Sequence, residues 1–224
     1  MASTQILHAV LAAALLAGTP LHAAKPPASW DGLVQVKSKR LEFVYLQPGA
    51  DFRGYTKVLL DPAEVAFHKD WQRDYNRTAT LSGRVSNADV QEAIRLGVEG
   101  ARDIFTNSWA KAGYSLADAP GPDVVRVKIG IVNIRVNAPD RQTPGRSYSF
   151  SDEAGQATLF IEARDSMTGS LLGRAVDPKA VGDTPMTWRT GASNRTDFRN
   201  QVQDWADASV RGMAELKSLS PINP

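Results

Sequence analysis

The chain predicts an α+β fold: a mostly antiparallel or mixed sheet with two helices packed on one face. Three observations lead there. Apolar and polar residues alternate over Val124 to Val136 and again over Gln156 to Arg164, the period-two pattern of half-buried strands. Two other stretches, Asn87 to Ala112 and Arg195 to Leu219, repeat their apolar residues at helical spacing. The order is strands, helix, strands, helix, and segregated runs of this kind build α+β folds.

Leu41 to Leu46 reads as the first strand, ended by Gln47-Pro48-Gly49. Lys57 to Phe67 reads as a longer strand that Asp61-Pro62 interrupts, and an internal proline suits an edge strand or a bulge. Ser86, with Asp89 three residues on, can cap the first helix. Val90, Ile94, Val98, Ala101, Phe105 and Ala112 share one face of it, and Gly113 sits where a C-terminal cap belongs. Gly97 and Gly100 each cost about 1 kcal/mol against alanine, tolerable if that face packs closely on a sheet. Tyr114 to Leu116 is a short strand. In Val124 to Val136 the apolar parity flips after Ile131, which predicts a bulge near Ile131-Val132. Asp165 to Gly169 reads as a hairpin loop leading into a strand over Ser170 to Val176. Asn194 can cap the last helix and Pro221 closes it; Phe198, Val202, Trp205, Ser209, Met213 and Leu216 form its stripe. Residues 41–220 therefore read as one domain, preceded by a polar, basic lead-in over 25–40 with Lys37, Lys39 and Arg40. Three long connections, 68–86, 137–155 and 178–193, are not explained by that core, and such loops are often functional.

The first 24 residues read as a secretory signal peptide. Ile6 to Gly18 is an apolar run of 13 residues, Thr19-Pro20 breaks it, and Leu21-His22-Ala23-Ala24 supplies small residues for cleavage after Ala23 or Ala24. The run is shorter than the roughly 20 residues a spanning helix needs. Its leading residues carry no Lys or Arg, so an uncleaved anchor or a wrongly assigned start codon is the competing reading. Polar sequence follows, and no later segment is apolar enough to span a bilayer, so the expected destination is the periplasm.

The full sequence, 42% hydrophobic and 22% charged, has the composition of a globular chain. A net charge of +2 is too mild to argue for nucleic acid. With no cysteine, the chain has no disulfides, no thiolate metal ligand, no cysteine nucleophile and no cysteine to lipidate. Cleavage would leave His68 as the one histidine. A Ser-His-Asp triad would have to use it, but it sits in Phe67-His68-Lys69-Asp70-Trp71 and reads better as a surface residue; no Gly-x-Ser-x-Gly elbow is present. No metal site or cofactor is expected. Asp152-Glu153 and the pair Asp61 and Glu64 keep a carboxylate-dependent hydrolase open as an alternative, though spacing positions none of them. Arg189-Thr190-Gly191-Ala192 precedes the last helix, whose N-terminus could hold an anion but is also explained as a cap.

Three segments carry a family resemblance: Tyr45-Leu46-Gln47-Pro48-Gly49-Ala50-Asp51-Phe52 leading into Lys57 to Pro62; Ala112-Gly113-Tyr114 followed by Pro120 to Val127; and Ala157 to Gly169. Together they resemble a domain-of-unknown-function family, number thirty-three thirteen, of Gram-negative envelope proteins and lipoproteins. The resemblance implies an envelope location and an α/β sandwich, and no activity. Many relatives are lipoproteins; this chain departs from them in lacking the cysteine. The element order also looks like that of envelope accessory lipoproteins of transport systems.

The candidate binding residues are Trp71, Arg73, Tyr75 and Arg77, in a stretch read as a loop. Aromatic and Arg side chains are enriched at binding hot spots, and the Arg fork suits phosphate or carboxylate. Trp71 and Tyr75 are four apart, so the alternative is that they stack on one helical turn and cover the core edge. The expected function is a non-enzymatic periplasmic module that binds an envelope protein or an anionic envelope component, such as a lipid head group or glycan. A homo-oligomeric envelope subunit, joined through a sheet edge or the Trp205 helix, is a further alternative.

Overall fold

A computed structural model describes residues 26–137, 148–151, 153–182 and 187–223. The expected signal segment lies outside the described residues, as does Asp152. Among the described residues the fold is α+β, with a nine-stranded mixed sheet and three α-helices.

The centre of the sheet is β7 (Val124–Val136), β9 (Gly155–Asp165) and β10 (Leu171–Val181), paired antiparallel. Beyond β10 come β3 (Phe43–Leu46), β2 (Leu33–Val36) and β1 (Ser29–Trp30), all antiparallel. On its other side β7 takes two parallel partners in succession. Its first half pairs β4 (Lys57–Leu60) and its second half pairs β5 (Glu64–Phe67). The strand expected over 57–67 is thus divided at Asp61-Pro62. Asp61 still donates its N–H to the Val127 carbonyl at 3.0 Å; Pro62 has no N–H to give, so the ladder breaks there and resumes at Glu64. The short β6 (Ser115–Leu116) closes that edge on β4.

The expected bulge falls just past Ile131-Val132: the β7–β9 register shifts between Val132 and Arg135, and Asn133 takes a left-handed φ of 55°. Before it, Val125, Val127, Ile129 and Ile131 point into the core. Ile134 and Val136 return to that core after it, so both apolar sets serve one face.

That face is covered by two long helices. Helix α2 (Asn87–Lys111) opens with a capping box in which the Ser86 hydroxyl accepts from the Asp89 N–H at 3.1 Å and Asp89 accepts from the Ser86 N–H at 2.8 Å. A Cβ on Gly97 would sit 3.1 Å from Val65, so that glycine lets α2 lie close on β5. Helix α3 (Gly191–Leu219) begins four residues before the expected start. Thr190 caps it in a box with Ser193. Asn194, expected as the cap, lies inside the helix and donates to the Ala154 carbonyl at 3.0 Å. Phe105 and Trp109 of α2 join Trp205, Ala206 and Met213 of α3 in one core with Leu159, Ile161 and Ala175 of the sheet. Each fully buried large side chain contributes about 1.5–3 kcal/mol.

Three regions depart from expectation. The fold holds a third helix, α1 (Trp71–Thr78), where a loop was expected. The lead-in is structured over β1 and β2 because Trp30 has a place to go: it packs edge-on against Tyr45 at 5.7 Å and takes the Arg174 guanidinium over its ring at 4.6 Å. Two of the long connections pair with each other, as β8 (Tyr148–Ser151) and β11 (Thr187–Thr190) form a separate antiparallel ribbon.

The sheet face away from α2 and α3 carries a charge network. Glu162 receives Arg164 Nε and Arg174 Nε, each at 2.6 Å, and Arg174 also reaches Asp31. Burial pushes the Glu162 carboxyl up, but hydrogen bonds and charge from Arg174 and Arg164 outweigh burial and hold it below the usual carboxylate range. A depressed folded-state value stabilises above the unfolded pKa of about 4.3 and is lost as pH falls through the folded value. Wild type should therefore lose stability relative to Glu162→Gln as pH drops from about 5 toward 3. Urea unfolding of both proteins across that range checks this; parallel curves would refute it.

Candidate functional site

A cleft of about 530 Å³ opens between α3 and the sheet. Beneath it lies packed core: Phe52, Trp109 of α2, Val127 of β7 and Ile161 of β9 are all buried. Val34, Val36, Val44 and Leu46 of β2 and β3 form one wall, and Met213 and Leu216 of α3 form the other. The space exists because the facing positions are small. Ala208, Ser209 and Gly212 of α3 and Ala163 and Ala175 of the strands are among its lining residues, whereas Leu46 fills the place beside Gly173. A Cβ on Gly212 would meet nothing within 4 Å. Packed interiors hold few voids larger than a water molecule. This one exceeds threefold the roughly 150 Å³ of an apolar cavity that binds benzene.

The rim is polar and mostly basic. Lys37, Ser38 and Arg40, between β2 and β3, stand on one side, with Glu215 and the exposed Leu219 of α3 on the other. Arg40 Nε reaches Glu215 Oε2 across the mouth at 3.2 Å; the side chains are 35% and 49% exposed. Such an exposed pair holds with about 0–1 kcal/mol, a weak tie between strand loop and helix. In the core beneath the cleft, the Trp109 indole N–H has no hydrogen-bond partner among the described residues.

The residues singled out from sequence lie elsewhere, on α1. Trp71 is buried, stacks on Phe67 at 4.5 Å, and donates its indole N–H to the Val136 carbonyl at 3.0 Å. Tyr75 tilts against Trp71 at 5.9 Å, so the two aromatics do stack along one helical face. Arg73 pairs with Asp70 at 3.1 Å and Asp74 at 3.2 Å, and Arg77 pairs with Asp74 at 3.4 Å. Both arginine side chains are at least 70% exposed. Trp71, Asp74, Tyr75, Thr78, Arg135 and Asn137 border an open hollow of about 430 Å³ that shares no lining residue with the cleft. His68 is half-buried against Arg135, whose Nη2 is 3.1 Å from both ring nitrogens.

Asp61 pairs with Arg126 at 2.8 Å and Glu64 with Lys128 at 2.7 Å. Among the described residues no group of three His, Asp or Glu could hold a metal, and no helix is long and apolar enough to cross a membrane. Trp205, which marks the helix read as a possible interface, itself lies in the core and donates to Asp177 at 2.8 Å.

Sequence reading missed the cleft. Two signals were present: the Lys37, Lys39, Arg40 cluster beside a short apolar run, and Ser209 within the α3 stripe near Ala208 and Gly212.

A family model described as a protein of unknown function, DUF3313, matches residues 25–209, and the chain belongs to that family. A search of the curated proteins returns no match. Among solved structures, a PelC dodecamer from Paraburkholderia phytofirmans is similar at 12% identity, covering 78% of this chain and 96% of that one, with a TM-score of 0.35. A Xanthomonas campestris protein of the DUF330 family is similar at 10% identity, covering 77% and 91%, with a TM-score of 0.40. A minor lipoprotein from Acinetobacter baumannii is similar at 10% identity, covering 72% and 94%, with a TM-score of 0.32. At these scores the likenesses say nothing about activity or assembly.

Proposed function

We propose that this DUF3313 protein is a non-enzymatic binding module of the cell envelope, exported to the periplasm, which shelters the apolar chain of an amphipathic ligand between α3 and the sheet. The cleft is the observation that carries this reading. Its walls are mostly apolar, it is large enough for a ligand of small-molecule size, and it opens to solvent at a polar rim. Lys37 and Arg40 at that rim suit an anionic head group, in line with the anionic envelope partner expected from sequence.

Native mass spectrometry of the full chain, purified without detergent, tests the reading. A co-purifying mass that extracts into organic solvent, and a fluorescent acyl probe that binds the stripped protein, are the expected results. Bare protein that also ignores the probe would sink it.

A second reading is favoured by one observation. Arg73 and Arg77 project from α1 beside the hollow bordered by Trp71 and Tyr75, which suits a contact with an acidic partner protein. An Arg73→Ala/Arg77→Ala variant should fold normally, because its exposed ion pairs contribute little, and should lose an envelope partner captured by crosslinking. An unchanged crosslinking pattern would remove this reading and leave the cleft.

A further inference from the structure

We propose that the cleft takes one long-chain fatty acid, whose carboxylate replaces that of Glu215 on Arg40. The inference rests on the chain-binding reading above and specifies the ligand.

Volume sets the number of chains. A methylene group takes up about as much room as the ~30 Å³ share of a liquid water molecule. The 530 Å³ of the cleft is on the scale of one acyl chain of about 18 carbons.

Charge sets the head group. The rim brings together Lys37, Arg40 and Glu215. Arg40 spends its Nε on Glu215 through a pair exposed enough to open at little cost. A guanidinium offers five donors in a fork that matches a carboxylate, so an incoming carboxylate reproduces what Glu215 supplies. Lys37 adds a second positive charge at the same mouth. A neutral chain would gain nothing from either cation and would leave the Arg40–Glu215 pair closed. The partly exposed apolar walls of Val36, Val44 and Leu216 place the tail inward and the carboxylate at the rim, because a buried unpaired charge is costly.

The test is calorimetric titration of the stripped full chain with palmitate and, separately, with its methyl ester. Glu215→Gln and Arg40→Gln run beside the wild type; both sites are at the surface, and circular dichroism checks their folding. The expected result is one palmitate per chain, bound more tightly than the ester. Glu215→Gln should tighten palmitate about two- to fivefold, the worth of an exposed ion pair, and leave the ester unchanged. Arg40→Gln should weaken palmitate by about fivefold or more and spare the ester. Equal binding of palmitate and ester in all three proteins would overturn the head-group assignment and leave chain binding standing. Two palmitates per chain, or a preference for dipalmitoyl phosphatidylglycerol, would overturn the single-chain assignment. Binding of neither probe would overturn the inference, and bare native protein in the mass spectrum would then separately count against the chain-binding reading.

Discussion

Gly212→Leu is expected to stabilise the protein and at the same time, if the proposed cleft takes an acyl chain, to weaken its binding of long chains. Gly212 lies within α3, where glycine costs close to 1 kcal/mol against a good helix former, so leucine should add about 0.5–1 kcal/mol and raise Tm by about 1–4 °C. Its new side chain has room, since a Cβ there meets nothing within 4 Å. The room it takes is that of the proposed ligand. Four added carbons at about 30 Å³ each remove roughly a quarter of the cleft. Palmitate affinity should fall at least about tenfold, at about 0.8 kcal/mol per displaced methylene. The preferred chain should shorten by about four carbons. A titration series from 10 to 18 carbons, with thermal melts, reads both effects. A variant that melts higher yet keeps the wild-type chain preference would exclude this cleft as the binding site.

Asp177→Ala should be among the most damaging single changes outside the cleft. Asp177 is 1% exposed on the helix-covered face of β10. Its carboxylate accepts the Trp205 indole N–H at 2.8 Å and the Glu42 backbone N–H at 2.9 Å, and Lys179 reaches it at 3.3 Å. One side chain thus ties α3, the start of β3 and its own strand together. Alanine leaves two donors without their partner, each worth about 1–3 kcal/mol when buried. The expected loss is about 3 kcal/mol, or about 6–12 °C in Tm. Asp177→Asn keeps an acceptor and should recover part of the loss, and Trp205→Phe should couple strongly with it in a double-mutant cycle. A loss under about 0.5 kcal/mol would mean that water replaces the carboxylate without penalty.

How far the chain could be read tracks how local each signal is. The ends of β7 match the expected strand residue for residue, because its alternation is written in consecutive positions. The α2 cap was legible for the same reason, since Ser86 and Asp89 sit three residues apart. Helix α1 was read as a loop: eight mostly polar residues give little periodicity, and Trp71 gains its purpose from Phe67 and the Val136 carbonyl. The partner of β2 lies in β3, and β3 in turn needs β10, more than a hundred residues later. The β8–β11 pairing likewise joins two connections that each look irregular alone.

The amino-acid sequence by itself determined the α+β class, the central antiparallel strands, the two long helices and the lack of any cysteine chemistry. Those depend on periodicity and residue type, which are properties of neighbours along the chain. Tertiary structure alone decided the third helix, the N-terminal hairpin and the candidate site. The cleft is a space bounded by residues from 34 to 223, and it exists because small side chains on α3 settle opposite small side chains on β9 and β10. No single segment encodes that emptiness: a void is set by where surfaces stop, and only the docking of helix on sheet fixes it.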